Sequence, residues 1–168
     1  MGMGNFEIFG LQFVGSLLVF VLVARWYVAP RLATMPLSAA LQPLLLHHAT
    51  RTLGMTLLVS AVVGPGVPRA FANQVAYGDL IAAVLALVSI AALRARASYA
   101  IPIVWIFNIE GFVDLLNALT QGIRLNVASA PLGAAWYIPT YAVPALVVTH
   151  IMMFSMLLKR KPGRKPAR

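Results

Sequence analysis

The side chains in this sequence that could carry acid, base or ligand chemistry are few, and most of them interrupt long apolar stretches. Its 168 residues include only four acidic side chains, three histidines and no cysteine. The lack of cysteine excludes thiolate nucleophiles, disulfides and cysteine-ligated metal centres. The candidates for binding a ligand or carrying protons inside the apolar stretches are Arg51, Glu110, Asp114, Asp79, Asn117, His47, His48 and His150.

The densest group of polar residues lies in the fourth apolar stretch. Glu110, Asp114, Asn117 and Gln121 follow an i, i+4, i+7, i+11 pattern, which places them on one narrow stripe of a helix that advances 100° per residue. We expect this stripe to face the interior of a helical bundle. Asn108 points nearly the opposite way, so the pattern predicts a separate interhelical hydrogen bond for it.

The second apolar stretch carries the only internal arginine. His47, His48, Arg51 and Gly54 occupy about a third of the circumference of a helix, which predicts that this face also points inward. Arg51 and Glu110 both lie close to the centres of their apolar stretches. We therefore predict an ion pair between Arg51 and Glu110 near the middle of the bundle. This pair suits ligand binding, and it suits a purely structural role equally well.

Axial positions sort the remaining candidates into two layers. With a rise of about 1.5 Å per residue, His47 and His150 lie about 6 Å and about 4.5 Å to the same side of the bundle centre. These histidines are therefore expected to approach each other. Asp79 and Asp114 lie at matching depths towards the opposite side, so we predict a second, more external pair of carboxylates.

The composition indicates the kind of fold that positions these residues. Apolar residues make up 61% of the chain and charged residues only 10%, a composition typical of membrane proteins. One span needs roughly 20 apolar residues. We predict an all-α integral membrane bundle of about five transmembrane helices over residues 1–158, followed by a basic tail at residues 159–168. The predicted spans are Phe6–Tyr27, Leu37–Val63, Gln74–Leu93, Ala100–Thr120 and Trp136–Leu158.

The distribution of lysine and arginine predicts the orientation. Cytoplasmic loops accumulate these residues, and the tail KRKPGRKPAR is the most basic segment. A cytoplasmic C-terminus and an outside N-terminus leave only Arg69 and Arg124 on outer loops. We expect a bacterial cytoplasmic (inner) membrane location, with the tail contacting anionic lipid and not nucleic acid. The N-terminus has no basic residue before its apolar run, so we expect no cleaved signal peptide and a retained first helix.

Known catalytic motifs give no support for an enzyme. The sequence has no phosphate-binding G-x-x-x-x-G-K-[ST], no G-x-G-x-x-G, no H-E-x-x-H and no G-x-S-x-G. An enzyme acting on a lipid-like substrate is a weak hypothesis, because no motif positions a nucleophile. We lean towards a protein without catalytic activity.

Three hypotheses remain. The first is binding or transport of a small solute or protons, in which Arg51 receives an anionic group while Glu110, Asp114 and Asp79 exchange protons. The odd number of spans prevents a simple inverted repeat, so such a transporter would need a homo-oligomer. The second hypothesis is a haem-binding or other redox protein with His150 and either His47 or His48 as axial ligands. The third is a non-catalytic assembly subunit whose polar residues hold helices together. The sequence identifies no cofactor.

Overall fold

The computed structural model describes residues 2–159, and these residues form helices joined by short loops, with no β-strand among them. We number five helical segments in chain order. They are α1 (Asn5–Ala33), α2 (Leu37–Ala49, continued by a 3₁₀ helix at Thr50–Leu58), α3 (Arg69–Arg94), α4 (Ala100–Arg124) and α5 (Gly133–Leu158). The predicted basic tail, apart from Lys159, lies outside the described residues.

Four of these helices, α1, α3, α4 and α5, are long and apolar enough to cross a membrane. This confirms the prediction of an all-helical fold built from apolar helices. The second predicted span differs from the others. Its α-helical part has 13 residues, and the chain then tightens into a 3₁₀ helix of 9 residues.

Proline and glycine define the loops, as the sequence indicates. Pro36 and Pro68 immediately precede α2 and α3, where proline is tolerated because the first helical N–H groups have no intrahelical acceptor. Gly66 adopts a φ of 112°, a conformation that glycine reaches at little cost. The backbone N–H of Gly64 donates to the carbonyl of Pro131 at 2.8 Å. This bond places the α2–α3 and α4–α5 loops together at one end of the bundle, which we call the outer end.

Helix α3 is the centre of the bundle and packs against both α2 and α4. Its inward face is built from small residues, which let helix backbones approach closely. Ala82, Ala83, Ala86 and Ser89 have at most 1% of their surface exposed. Asp79 lies on the same face and is also buried.

Helix α1 lies at the periphery and packs mainly against α5. No residue of Asn5–Val23 is buried. The indole N–H of Trp136 donates to the side-chain oxygen of Gln12 at 2.5 Å, and the rings of Phe20 and Tyr141 meet edge to face. These contacts attach α1 to the side of a bundle whose core is formed by α2 to α5.

Helix α2 changes its geometry at the level of the polar residues. The α-helix ends at Ala49, and the 3₁₀ segment that follows carries Arg51 and Gly54 on its buried face. A 3₁₀ stretch of this length is uncommon. The Arg51 side chain extends from this segment to α3 and α4, and Gly54 packs against Asp79 of α3.

Candidate functional site

The guanidinium of Arg51 is the centre of the buried polar group. Its Nε donates to Asp79 Oδ1 at 2.6 Å, its Nη2 donates to Asp114 Oδ2 at 2.6 Å, and its Nη1 donates to the backbone carbonyl of Gly111 at 2.9 Å. Only 1% of the Arg51 side chain is exposed. All three nitrogens are therefore occupied, and α2 is joined through them to α3 and α4.

The predicted ion pair between Arg51 and Glu110 is wrong. Among the described residues, the carboxylates within 4 Å of Arg51 are Asp79 and Asp114. The prediction misplaced the helix centres. It ended the second span at Val63, whereas the helical segment ends at Leu58. This moves Arg51 past the middle of α2 towards the outer end, where Asp114 and not Glu110 lies.

Asp79 and Asp114 do share one layer, as predicted, but they do not form a separate pair of carboxylates. Arg51 lies between them and binds both. These three bonds use three of the five guanidinium N–H groups. That Arg51 receives an anionic group stays a prediction.

Three glycines from three helices make room for this cluster. A Cβ on Gly54 would lie 2.7 Å from the carboxylate carbon of Asp79, and a Cβ on Gly78 would lie 2.7 Å from that of Asp114. Both distances are far below van der Waals contact. A Cβ on Gly111 would lie 3.0 Å from Arg51 Nη1. The two carboxylates and the guanidinium are thus in direct contact with the backbone of the neighbouring helices at these glycines.

Sequence reasoning noted Gly54 only as part of a polar face and overlooked Gly78 and Gly111. Glycine inside a helix costs roughly 1 kcal/mol relative to alanine, so a mid-helix glycine needs a structural reason. Gly78 directly precedes Asp79, and Gly111 directly follows Glu110. This adjacency to acidic residues was the available indication.

His150 lies beside the cluster on α5 and is fully buried. Its Nδ1 is 2.7 Å from Asn108 Oδ1, while the amide nitrogen of Asn108 donates to the His150 carbonyl at 3.4 Å. The carbonyl needs the amide nitrogen as its donor, so Asn108 Oδ1 must accept a proton from Nδ1. The predicted interhelical hydrogen bond of Asn108 is thereby confirmed, and neutral His150 has Nε2 as its acceptor nitrogen.

The Nε2 atom of His150 has no hydrogen-bond partner among the described residues. A Cβ on Gly111 would be within 3.3 Å of both this atom and Arg51 Nη1. An acceptor nitrogen and a guanidinium donor therefore border the same small space.

His48 continues the polar group away from Arg51. Its ring and the His150 ring have centroids 4.1 Å apart, so the histidine that meets His150 is His48 and not, as the axial positions had predicted, His47. His48 Nε2 is 2.9 Å from the Thr149 hydroxyl, and its buried Nδ1 has no hydrogen-bond partner among the described residues. The group that runs through the bundle thus extends from Thr149 through both rings to Arg51.

The predicted haem site does not fit His48 and His150. Two axial imidazoles stand on opposite faces of the macrocycle, and each metal–nitrogen bond is about 2 Å long. Rings with centroids 4.1 Å apart and an angle of 54° between their planes are in direct contact, which leaves no space for a porphyrin between them. The surroundings of His150 do not favour the redox hypothesis with His47 either, because Nδ1 is bonded to Asn108 and Nε2 borders Arg51 and Gly111.

The remaining candidates lie around the cluster. His47 is half-buried and borders a shallow groove between α1 and α5 with Phe20 and Met152. Asn117 is exposed. Gln121, on the same stripe, lies outside the cluster. Its side-chain nitrogen donates to the side-chain oxygen of Gln74 of α3 at 3.0 Å. The stripe therefore faces α3 at Asp114 and Gln121 but not at Asn117.

Glu110 is half-buried, one helical turn before Asp114, and its Oε2 is enclosed without a hydrogen-bond partner among the described residues. The same described part of the chain holds no group of three or more His, Asp or Glu side chains arranged to bind a metal ion. The cluster thus consists of one guanidinium with two carboxylates, a third carboxyl nearby, and two histidines.

No curated protein and no solved structure is significantly similar to the chain. One protein-family model matches residues 8–158, which include all five helical segments except the first few residues of α1. The chain therefore belongs to the family described as Domain of unknown function (DUF8737).

Proposed function

We propose that this chain is a multi-pass membrane protein whose buried cluster takes up and releases protons as part of binding or transporting a small solute. The observation that carries this proposal is the imbalance of charge around Arg51. One guanidinium is bonded to two carboxylates. A third carboxyl, that of Glu110, lies one turn away, and its Oε2 has no hydrogen-bond partner within the described part of the chain. An unpaired charge in hydrocarbon costs at least a few kcal/mol, so protons must neutralise the excess carboxylates.

The histidines supply a route for such protons. His150 Nε2 is an unpartnered acceptor beside Arg51, and the His48 ring is in contact with the His150 ring. Histidine exchanges protons near neutral pH more readily than any other side chain. The groups from Thr149 through His48 and His150 to Arg51 form a continuous polar path in an otherwise apolar core.

The arrangement in the membrane is part of the proposal. We infer five spans, with the N-terminus outside and the C-terminus in the cytoplasm of a bacterial cell, by the positive-inside argument. Segment α2 is long enough to be the fifth span. Its 13 α-helical and 9 3₁₀ residues reach roughly 37 Å at about 1.5 Å and 2.0 Å per residue, against a hydrocarbon core of about 30 Å.

The test uses purified protein in liposomes that contain a pH-sensitive dye. We expect an imposed potential to drive proton entry through the native protein, and replacement of Glu110 by Gln to slow it strongly. The matched control is Glu7→Gln. Glu7 is the one acidic residue away from the cluster, and its side chain is exposed. Equal proton entry in the native protein, in both variants and in empty liposomes would contradict the proposal.

A non-catalytic assembly role is the second candidate, and the position of α1 favours it. Helix α1 packs on α5 along one side only, and none of Asn5–Val23 is buried. This leaves a long apolar face for a second copy of the chain or another membrane helix. The mass of the protein in nanodiscs distinguishes a monomer from an oligomer, and a stable monomer that conducts protons would exclude a purely structural role.

A further inference from the structure

An apolar cavity opens at the outer end of the bundle and reaches the polar cluster at Asp79. It has a volume of about 80 Å³ and lies between the N-terminal ends of α1, α3 and α5 and the C-terminal half of α4. Asp79 is the only charged residue that lines it, and nearly all other lining residues are apolar. The walls include Phe9, Phe71, Ala118 and Val143.

Asp79 offers a free acceptor at the inner end of this cavity. Its hydrogen bond to Arg51 uses Oδ1, and Oδ2 makes no hydrogen bond within the described residues. Gly54 lies directly against this carboxylate and contributes no side chain that would cover it. About 9% of the Asp79 side chain is exposed. A ligand in the cavity therefore meets a carboxylate oxygen and not the guanidinium.

The charged groups that face Asp79 determine whether the cavity favours a cation or an anion. They are Arg51 of α2, Asp114 and Glu110 of α4, and, beyond Arg51, the neutral rings of His48 and His150. One fixed positive charge faces three carboxyls, and carboxyls that hold protons can release them, so the site can compensate the charge of a bound cation but not that of a bound anion. Arg51 already donates to both aspartates and to the Gly111 carbonyl.

We propose that this cavity binds a small aliphatic ammonium ion, with its alkyl chain among the apolar walls and its charged nitrogen donating to Asp79. The size limits the ligand to a few carbon atoms. A cavity of about 150 Å³ holds one benzene molecule, and this one has about half that volume. It therefore encloses about three heavy atoms, and the end of a slightly longer alkyl chain extends through its opening. The proposed ligand is thus a short primary amine in its protonated form.

This inference rests on the proposed function, because it makes the ammonium ion the solute that is exchanged for a proton. The carboxyl group of Asp79 or of Asp114, whichever holds the excess proton, releases it, and the ammonium ion takes its place as the compensating positive charge. No covalent bond other than the O–H bond is broken, and the net charge of the site stays the same. Binding of one ammonium ion should therefore release about one proton.

The test is isothermal titration calorimetry of the full chain in nanodiscs with n-butylamine, n-butanol and butyrate as probes. These three probes share the alkyl chain and differ in the charge of the head group. We expect n-butylamine to bind about tenfold more tightly, or more, than the other two. Titrations in two buffers with different heats of protonation give the number of protons released, which we expect to be close to one.

The variant Ala118→Leu fills the cavity without touching Arg51 or its partners, so it should abolish n-butylamine binding. The matched control, Ala91→Leu, adds the same atoms at an exposed position of α3 and should leave binding unchanged. Equal binding of n-butanol, binding without proton release, or binding that survives Ala118→Leu would overturn the inference. If proton entry into liposomes persists while n-butylamine does not bind, the ammonium site is wrong and the proposed function stands.

Discussion

At the scale of single residues, the shape of the guanidinium explains why arginine occupies position 51. Three acceptors from two helices surround it in different directions: a carboxylate of α3, a carboxylate of α4 and a backbone carbonyl of α4. A planar fork with five N–H donors can reach all three, whereas the ammonium of lysine is a compact point charge. Arg51 thus both neutralises charge and sets the spacing of α2, α3 and α4.

Replacement of Arg51 by Ala should destabilise the protein by about 3–5 kcal/mol, because it leaves Asp79 and Asp114 buried without a counter-charge. Arg51→Lys should reduce the free energy of unfolding by less, since one carboxylate keeps a positively charged partner. The free energy of unfolding in detergent, followed by circular dichroism, measures both. Arg124→Ala, at an exposed position, is the control and should change stability little. Equal stability of Arg51→Ala and the native protein would show that the ion pairs contribute nothing.

The Asn108–His150 hydrogen bond leads to a second prediction at this scale. Asn108→Leu keeps a side chain of similar size but removes the acceptor of the His150 Nδ1 proton. A buried donor without a partner costs about 1–3 kcal/mol. We expect this loss in the same unfolding experiment, together with a change in the tautomer of His150 that nitrogen NMR can detect. An unchanged tautomer would show that Asn108 does not orient the ring.

At the scale of helices, periodicity predicted which residues face inward but not which of them meet. The 100° rule placed Asp114 and Gln121 on the face of α4 that contacts α3. The partner of Arg51 was missed because its depth was counted from predicted span ends. No periodic pattern in the sequence indicates that α2 changes from an α-helix to a 3₁₀ helix at Thr50. The axial position of Arg51 could therefore be determined only from the structure.

The glycines of α2 and α3 provide the prediction for this scale. Gly78→Ala places a Cβ against the Asp114 carboxylate, and Gly54→Ala places one against Asp79. Because either the helix backbone or the carboxylate must move, each of these two substitutions should destabilise the bundle by about 1–3 kcal/mol. Gly15→Ala is the matched control, since a Cβ at Gly15 meets no atom within 4 Å. Thermal unfolding of the three variants checks the prediction, and equal melting temperatures would contradict the close packing.

At the scale of the whole molecule, composition and loop chemistry predicted most of the architecture. Apolar stretches of suitable length, separated by proline and glycine, gave five helical segments with short connections. The structure places the loops at two ends: the α2–α3 and α4–α5 loops meet at the outer end, and the α1–α2 and α3–α4 loops lie at the other.

Cysteine labelling tests this arrangement cleanly, because the chain has no cysteine of its own. Four exposed loop residues, Thr34, Ser60, Ser98 and Ser129, can each be changed to Cys. A thiol reagent that does not cross membranes should label positions 60 and 129 in intact cells, and positions 34 and 98 only after the membrane is opened. Labelling of positions 34 and 60 from the same side would show that α2 does not cross.

The central claim is that excess carboxyl groups around Arg51 hold protons inside the bundle. Infrared difference spectroscopy of the protein in nanodiscs detects this directly, because a protonated carboxyl has a C=O stretching band that a carboxylate lacks. We predict such a band near neutral pH, a weaker band in Glu110→Gln, which leaves one excess carboxyl beside Arg51, and an unchanged band in Glu7→Gln. The absence of any protonated carboxyl band in the native protein, over the pH range in which it stays folded, would contradict the account.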